Sequence, residues 1–291
     1  MWQHLTDLGS TVTRAFARDP VGLAGVGVLA FFLLLAIFAN VLSPYDPWQT
    51  NYHADGRVIR MEPPSARHWL GTDRLGRDIL SQTIHGSRVA LFVGLISAIC
   101  STFIGVNVGL IAGYCGRHVD DLLMRVTDVV YGIPFLPFAM ILIALLGPSL
   151  WNVIFAITLI TWRTPARAVR AQVLSLRHRA FVGSARVTGC GPWRIMYVHI
   201  APNIVSLGFA YTVITVGWSI LTEASLSFLG YGDPELISWG KILFTAHVAQ
   251  AMQVAWWWVV PPGVAITAVV LAFFFVGRTF EEITNPKLRE E

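Results

Sequence analysis

The sequence predicts an all-α integral membrane protein with six membrane-crossing helices and both termini on the cytoplasmic side. Three observations carry this expectation. Of 291 residues, 55% are hydrophobic and only 13% charged, whereas soluble domains carry about 25% charged residues. The charges are also clustered: 21–42, 89–116, 129–162, 195–222 and 242–277 contain no Asp, Glu, Lys or Arg, and about 20 apolar residues suffice to cross a bilayer core. Lastly, seven arginines and no acid occupy 163–194, and short loops rich in Lys and Arg stay in the cytoplasm.

The run 21–42 is longer than a signal-peptide core and lacks an A-x-A site, so it reads as an uncleaved first span. The second span lies in 89–116, where Gly94, Gly105, Gly109 and Gly113 favour close helix packing. The run 129–162 is too long for one helix and breaks at Gly147-Pro148-Ser149. It gives two shorter helices, near 130–147 and 150–168, the second extended because Arg163 can snorkel to the head groups. The fifth span falls within 195–222. The sixth occupies 255–277, behind the interfacial aromatic cluster Trp256-Trp257-Trp258. The resulting organisation is a tail at 1–20, a first span at 21–42, a loop at 43–87, a five-helix core at 88–278 and a tail at 279–291.

Orientation follows from the cations. Arg14, Arg18, Arg117, Arg125, Arg278, Lys287 and Arg289 fall on the same side as 163–194, while Lys241 alone separates the fifth and sixth spans. The 43–87 loop holds five arginines offset by Asp46, Asp55, Glu62, Asp73 and Asp78, so its balance takes no side.

The cytoplasmic segment RAFVGSARVTGCGPWRIMYVHIAPN, 179–203, reads as two short helices joined by Gly189-Cys190-Gly191. Pro192 suits the first turn of the second helix. There Trp193, Met196, Tyr197 and Ile200 fall at i, i+3, i+4 and i+7, one apolar stripe facing the protein's own body. Pro202 closes the unit. The residues allow two readings, a cationic interfacial connector or a docking element.

In the 43–87 loop, Thr72 or Asp73 can cap an amphipathic helix starting near Arg74, with Leu75, Ile79, Leu80 and Ile84 as its apolar face. Such a helix anchors the loop, and gating is the functional alternative. Glu223 is the one acid between Asp128 and Asp233. It either lines a pathway or caps a helix, since intramembrane acids usually face a bundle interior or water.

Chemistry of other kinds finds little support. The three cysteines and eight histidines show no metal-ligand spacing. No H-E-x-x-H or G-x-S-x-G motif occurs. No phosphate-cradling G-x-x-x-x-G-K-[ST] loop occurs either, because the Gly240-Lys241 pair precedes Ile242. Secondary transporters usually carry ionisable relays at mid-membrane, and these spans hold at most Glu223. Nothing in the composition points to nucleic acid.

The 179–203 segment resembles the EAA-x3-G-x9-I-x-LP motif of bacterial binding-protein-dependent ABC importer permeases. Gly183-Ser184-Ala185 stands at the EAA positions and Gly189 at the glycine; His199 replaces the isoleucine and Ala201-Pro202 the Leu-Pro. Gly183 takes the glutamate's place, so the bend is kept and the carboxylate is not. HWLGTDRLGRDILSQTIHGSRVAL at 68–91 is similar to the LGTD-x2-GRD signature of the C-type permease subunit in dipeptide and oligopeptide importers. VDDLLMRVTDVVYGIP at 119–134, EASLSFLGYG at 223–232 and GRTFEEITNPKLR at 277–289 resemble further segments of that subfamily.

The resemblance implies the type I ABC importer permease fold in a prokaryotic inner membrane. It implies a non-catalytic subunit that binds no cofactor, with ATP and Mg held by two separate ATPase subunits. A second permease subunit and an extracytoplasmic solute-binding protein complete the assembly, whose cargo is a di- or oligopeptide, or else nickel, glutathione, an opine or an oligosaccharide. Within the coupling loop, 169–201, the implied ATPase contacts are Phe181, Gly183, Ser184, Ala185, Arg186, Thr188 and Gly189, supported by Trp193, Met196, Tyr197 and Pro202. Gly71, Thr72, Asp73, Gly76, Arg77 and Asp78 are the candidates for an outer gate or for docking the binding protein, and Glu223 for the pathway.

Overall fold

Prolines and glycines set the helix boundaries. The computed structural model describes residues 19–284, with side chains through 280; the basic residues of both tails and the end of the 277–289 motif lie outside the described residues. Helix α1 (Pro20–Ile37) starts with Asp19, whose carboxylate accepts from the Val21 N–H, and Pro20 in its first turn. After one further turn, Ala39–Leu42, the chain makes a long irregular loop to Asp78. Helix α2 (Ile79–Cys115) has 37 residues, about 55 Å at 1.5 Å per residue. Gly116 turns the chain into α3 (Arg117–Gly132).

Between α3 and α4 (Phe135–Leu146) the axis bends by 89°. The cause is Pro134, which disfavours helical angles at the residue before it: Ile133 is extended, at φ −81° and ψ 122°. The helix expected near 130–147 is thus two helices, and residues 130–132 belong to the first. Gly147 (φ +92°) ends α4 at the expected turn. Helix α5 (Leu150–Thr161) and α6 (Arg163–Leu176) follow with only Trp162 between them, still right-handed at φ −59° and ψ −22°. Next come α7 (Ala180–Val187), the bent segment 188–204, α8 (Val205–Phe228), α9 (Trp239–Val248) and α10 (Trp256–Thr284).

Among the described residues, α1, α2, α8 and α10 are long and apolar enough to cross a membrane, and the α3–α4 pair makes a fifth if counted as one span. No strand forms among them beyond the isolated pairs Tyr52–Val58 and Thr72–Asp78. Helix α2 is the axis, packed chiefly against α6 and α8, while α10 packs against α8 and α1. Glycines allow the closest approach. A Cβ at Gly105 would lie 2.5 Å from the Trp162 carbonyl, one at Gly109 2.5 Å from that of Ala166, and one at Gly113 2.8 Å from Val173 Cβ. On α1, Leu23, Phe31, Leu33 and Ile37 stay exposed, as a lipid-facing surface requires.

One expectation fails at the 43–78 loop. No helix starts near Arg74, and no separate amphipathic helix forms. Helix α2 begins at Ile79, capped by Asp78, which accepts from the Ser81 N–H at 2.7 Å. Asp73 folds its carboxylate over the preceding turn instead, accepting from the N–H groups of Leu75 and Arg77 at 2.8 and 2.9 Å. Gly76, at φ +76°, completes that turn, which no continuing helix could accommodate. Ile79 and Ile84 are buried as expected, whereas Leu75 is exposed.

Candidate functional site

At the end of α2 that carries Cys115, residues 179–203 form an elbow. The sequence AFVGSARV has enough helix formers for two turns, and Gly189 stops them in left-handed geometry at φ +80°. Across that stop, the Gly189 N–H donates to the Arg186 carbonyl and the Cys190 N–H to the Ala185 carbonyl, both at 3.0 Å. This is a Schellman closure, which satisfies carbonyls a helix end would otherwise leave open. Thr188 adds its hydroxyl, donating to the carbonyls of Ser184 and Ala185.

Pro192 restarts the chain, which continues as a π-helix over Ile195–Ile200 and a 3-10 turn over Ala201–Asn203. The wider π turn shifts the faces. The expected stripe Trp193, Met196, Tyr197, Ile200 is therefore not the buried one: Ile195, Met196, Ile200 and Ile204 are buried, with Val182, Ala185, Leu110, Val169, Val173 and Leu176. Trp193 and Tyr197 stack on each other outside, with ring centres 5.9 Å apart, and Pro202 is exposed beside them. The Tyr197 hydroxyl donates to Asn107 Oδ1 on α2 at 2.8 Å.

Of the residues implied as ATPase contacts, Phe181, Gly183, Ser184, Arg186, Thr188 and Gly189 are exposed on one surface of the elbow, together with Val187. Ala185 is not. Only 6% of it is accessible, because its methyl group packs inward on the elbow's own core. A Cβ at Gly183 would meet nothing within 4 Å, so the position of the family's glutamate opens outward.

Three of the seven arginines of 163–194 find partners on α3 that charge counting alone could not assign. Arg170 clasps Asp120 with two hydrogen bonds, and Arg167 pairs with Asp128. Asp128 thus faces Arg167. The guanidinium groups of Arg163 and Arg167 lie 4.6 and 4.0 Å from the Tyr131 ring centre. Arg177 donates to the Gly113 carbonyl at 3.0 Å, and Arg186 stands over Tyr114. Asn107, the one amide within the run 89–116, was the legible signal for a helix-to-elbow contact.

Above the elbow a groove of about 330 Å³ runs between α8 and the α4–α6 side. Tyr211, Ile214, Thr215, Trp218 and Thr222 line it from one face of α8, opposite Thr161, Arg163 and Thr164. Its hydroxyls offer hydrogen bonds on a largely apolar wall, and Arg163 is its one charged lining residue. Glu223 does not line this groove. It is 3% accessible and accepts from Ser227 at 2.6 Å, with Ser238 beside it and Oε2 unpartnered. Its place is the packed junction of α8 with α9, where a Cβ on Gly240 would sit 2.2 Å from the Ala224 carbonyl.

At the far end of α2, the 43–78 loop draws the LGTD residues into its interior. Thr72, Asp73 and Asp78 are buried. The Thr72 hydroxyl donates to the Ile59 carbonyl at 2.7 Å and accepts from the Glu62 N–H at 3.0 Å. His68 Nδ1 lies 2.9 Å from Asp78 Oδ1, and Gln82 donates to Asp73 at 3.1 Å. Burial pushes the Asp73 carboxyl above its ordinary range, against the pull of those hydrogen bonds. A Cβ on Gly71 would meet the Glu62 carbonyl at 2.5 Å, and one on Gly76 would meet Val58 at 2.8 Å. Only Arg77 of the six candidates keeps part of its surface, set against Trp48. In this fold the motif's side chains hold the loop together.

Known proteins share both ends of this design. Residues 105–290 match the family described as binding-protein-dependent transport system inner membrane component, and residues 8–64 match the N-terminal transmembrane domain of oligopeptide transport permease C. The chain is 35% identical over 277 residues to the dipeptide transport system permease protein DppC of Alkalihalophilus pseudofirmus, covering 95% of this chain and 89% of that protein. It is 33% identical to DppC of Bacillus subtilis over 283 residues, covering 95% and 85%. With the glutathione transport system permease protein GsiD of Pectobacterium atrosepticum it shares 36% identity over 277 residues, covering 95% and 90%. With its apolar helices and this match over most of its length, the chain is a multi-pass inner-membrane protein and belongs to the binding-protein-dependent transport system inner membrane component family.

Proposed function

We propose that this chain is one permease half of an ATP-driven importer of di- or oligopeptides. It pairs with a second permease subunit, receives cargo from an extracytoplasmic binding protein and takes mechanical work from two ATPase subunits, which hold the ATP and Mg. The chain itself is non-catalytic and binds no cofactor. In this reading six spans adopt the type I importer fold, α5 and the start of α6 together supplying one of them, with both termini and the elbow in the cytoplasm. The domain limits are those drawn from the sequence, save that the loop ends at Asp78, where α2 begins.

The observation that carries the reading is the elbow. It presents Phe181, Ser184, Arg186, Val187 and Thr188 outward on a closed helix end, while its other face is sunk into α2 and α6. An exposed apolar patch with a cationic rim is what a partner groove takes up. The names of the relatives support peptide cargo, and that of the Pectobacterium protein favours glutathione, itself a small peptide, as the specific alternative.

The test is reconstitution of the chain with its partner permease, ATPase subunits and binding protein. Dipeptide uptake into proteoliposomes should require ATP and persist without an ion gradient. Single cysteines at Ser184 and Thr188 should cross-link to an ATPase subunit. Uptake driven by an ion gradient without ATPases would refute the proposal.

A further inference from the structure

The 43–78 loop, the start of α2, α9 and α10 line a half-open cavity of about 500 Å³, within the roughly 300–1,000 Å³ of small-molecule sites. Its charge is one-sided. Arg60, Arg74 and Arg77 reach it from the loop and Lys241 from α9, against Asp73 as the one acid in its wall. The Asp73 oxygens already accept from Leu75, Arg77 and Gln82. The neighbouring Asp233 accepts from the N–H groups of Leu150 and Glu235, and its charge acts on Lys241. Lys241 is fixed in place by donating to the carbonyls of Asp233, Pro234 and Leu236.

Two buried side-chain atoms of this wall lack any partner, and both are donors: Arg77 Nε and Trp258 Nε1. Trp258 is 1% accessible, and an orphaned buried donor costs about 1–3 kcal/mol. Arg77 and Lys241 both lie against the Trp48 ring, at 5.0 and 4.9 Å from its centre. Ile237, Phe244 and Val248 make the rest of the wall apolar. A ligand that completes this site brings an anionic acceptor and an apolar body.

We propose that the cavity binds the α-carboxylate of a small peptide, with Arg77 and Trp258 as donors and Lys241 as the second charge. This rests on the peptide-importer reading and adds a binding site to it. Peptide released at this end of the bundle is held by its carboxylate before it enters the helix bundle, so the permease itself distinguishes a free C-terminus from a blocked one.

The experiment uses the assembled importer without its binding protein, in neutral detergent, titrated calorimetrically with alanyl-alanine and with alanyl-alanine amide. The free acid should bind saturably and at least tenfold more tightly than the amide. Arg77→Gln, and separately Trp258→Phe, should each weaken the free acid about tenfold. Arg77→Lys keeps the charge, removes Nε and should still weaken it, which separates a lost donor from a misfolded loop. Equal binding of acid and amide, or binding untouched by all three substitutions, would overturn the inference. Arg77-dependent displacement of the dipeptide by inorganic phosphate or by phosphatidylglycerol, as effective as by acetate, would overturn it in favour of a general anion or lipid site. ATP-driven uptake of alanyl-alanine is measured on the same preparation with the binding protein restored. Uptake without Arg77-dependent binding sinks this inference alone, whereas no uptake of any peptide sinks the importer reading and the inference with it.

Discussion

The hydroxyl of Tyr197 donates to Asn107 Oδ1 at 2.8 Å, a bond between residues 90 positions apart. It joins the outer face of the elbow to the last third of the longest helix, beside the stacked Trp193. The bond is exposed, so its net contribution is about 0.5–1.5 kcal/mol. Tyr197→Phe should leave the protein inserted and assembled but loosen the elbow. Hydrogen exchange at 195–200 should rise while exchange in α2 does not, and substrate-stimulated ATPase should fall several-fold. An unchanged exchange pattern would show that the stack alone holds the elbow.

Gly183→Glu restores the acid that the family motif carries. Nothing lies within 4 Å of a Cβ there, and replacing Gly inside a helix gains up to about 1 kcal/mol. The expected outcome is equal or greater thermal stability of the complex, measured by fluorescence-detected size exclusion. A loss of stability would mean that the position is not open.

Ala185→Asp behaves differently from its neighbours. The methyl group is buried, so an aspartate there places an unpaired polar group in the elbow core, at about 2–7 kcal/mol. Proteolysis at 179–194 should become rapid, whereas Ser184→Asp, on the exposed face, should leave it slow. Matching rates for the two variants would contradict the inward orientation of Ala185.

Gly109→Leu forces α2 from α6, because even a Cβ would stand 2.5 Å from the Ala166 carbonyl and 2.9 Å from the Arg170 amide. Overpacking of this kind costs typically 1–3 kcal/mol or somewhat more, so yield and melting temperature should both drop. Gly132→Leu, with no atom within 4 Å of its Cβ, is the control and should be tolerated.

Asp73 makes the loop sensitive to pH. Burial, the largest influence, raises its pKa above the ordinary 3.8. Between that value and the raised one, the folded loop holds a proton that the unfolded loop has lost. Stability of the loop therefore falls as pH rises through this window. Limited proteolysis of 43–78 should accelerate over the same range, and Asp73→Asn should flatten the dependence. A slope unchanged in that variant would assign the effect to another group.

Much of this architecture was readable because glycine, proline and charge act locally. The turn at Gly147-Pro148, the stop at Gly189 and the close approach at Gly105, Gly109 and Gly113 each follow from one residue's own geometry. What stayed hidden depends on contacts distant in sequence. The π-helix over 195–200 moved Trp193 and Tyr197 to the outside, and no periodicity of an α-helix could foresee that. The bend at Ile133–Pro134 was signalled by the proline, yet the apolar run around it masked the signal. The LGTD residues look like a surface motif in sequence, and only the return of the loop onto Ile59 and Glu62 buries them. Residues 8–64 offered a span and a loop without a distinctive motif, although they match a family domain of their own.

The glycine contacts have a mechanical consequence. Where two helices meet through side chains, the intervening layer can re-pack and absorb a push. At Gly105 and Gly109 the backbone of α2 lies directly on that of Trp162 and Ala166, leaving no compressible cushion. Over 105–113, helices α2 and α6 therefore move as one stiff unit, so in the proposed importer a push on the elbow passes into α2 without being absorbed by a side-chain layer.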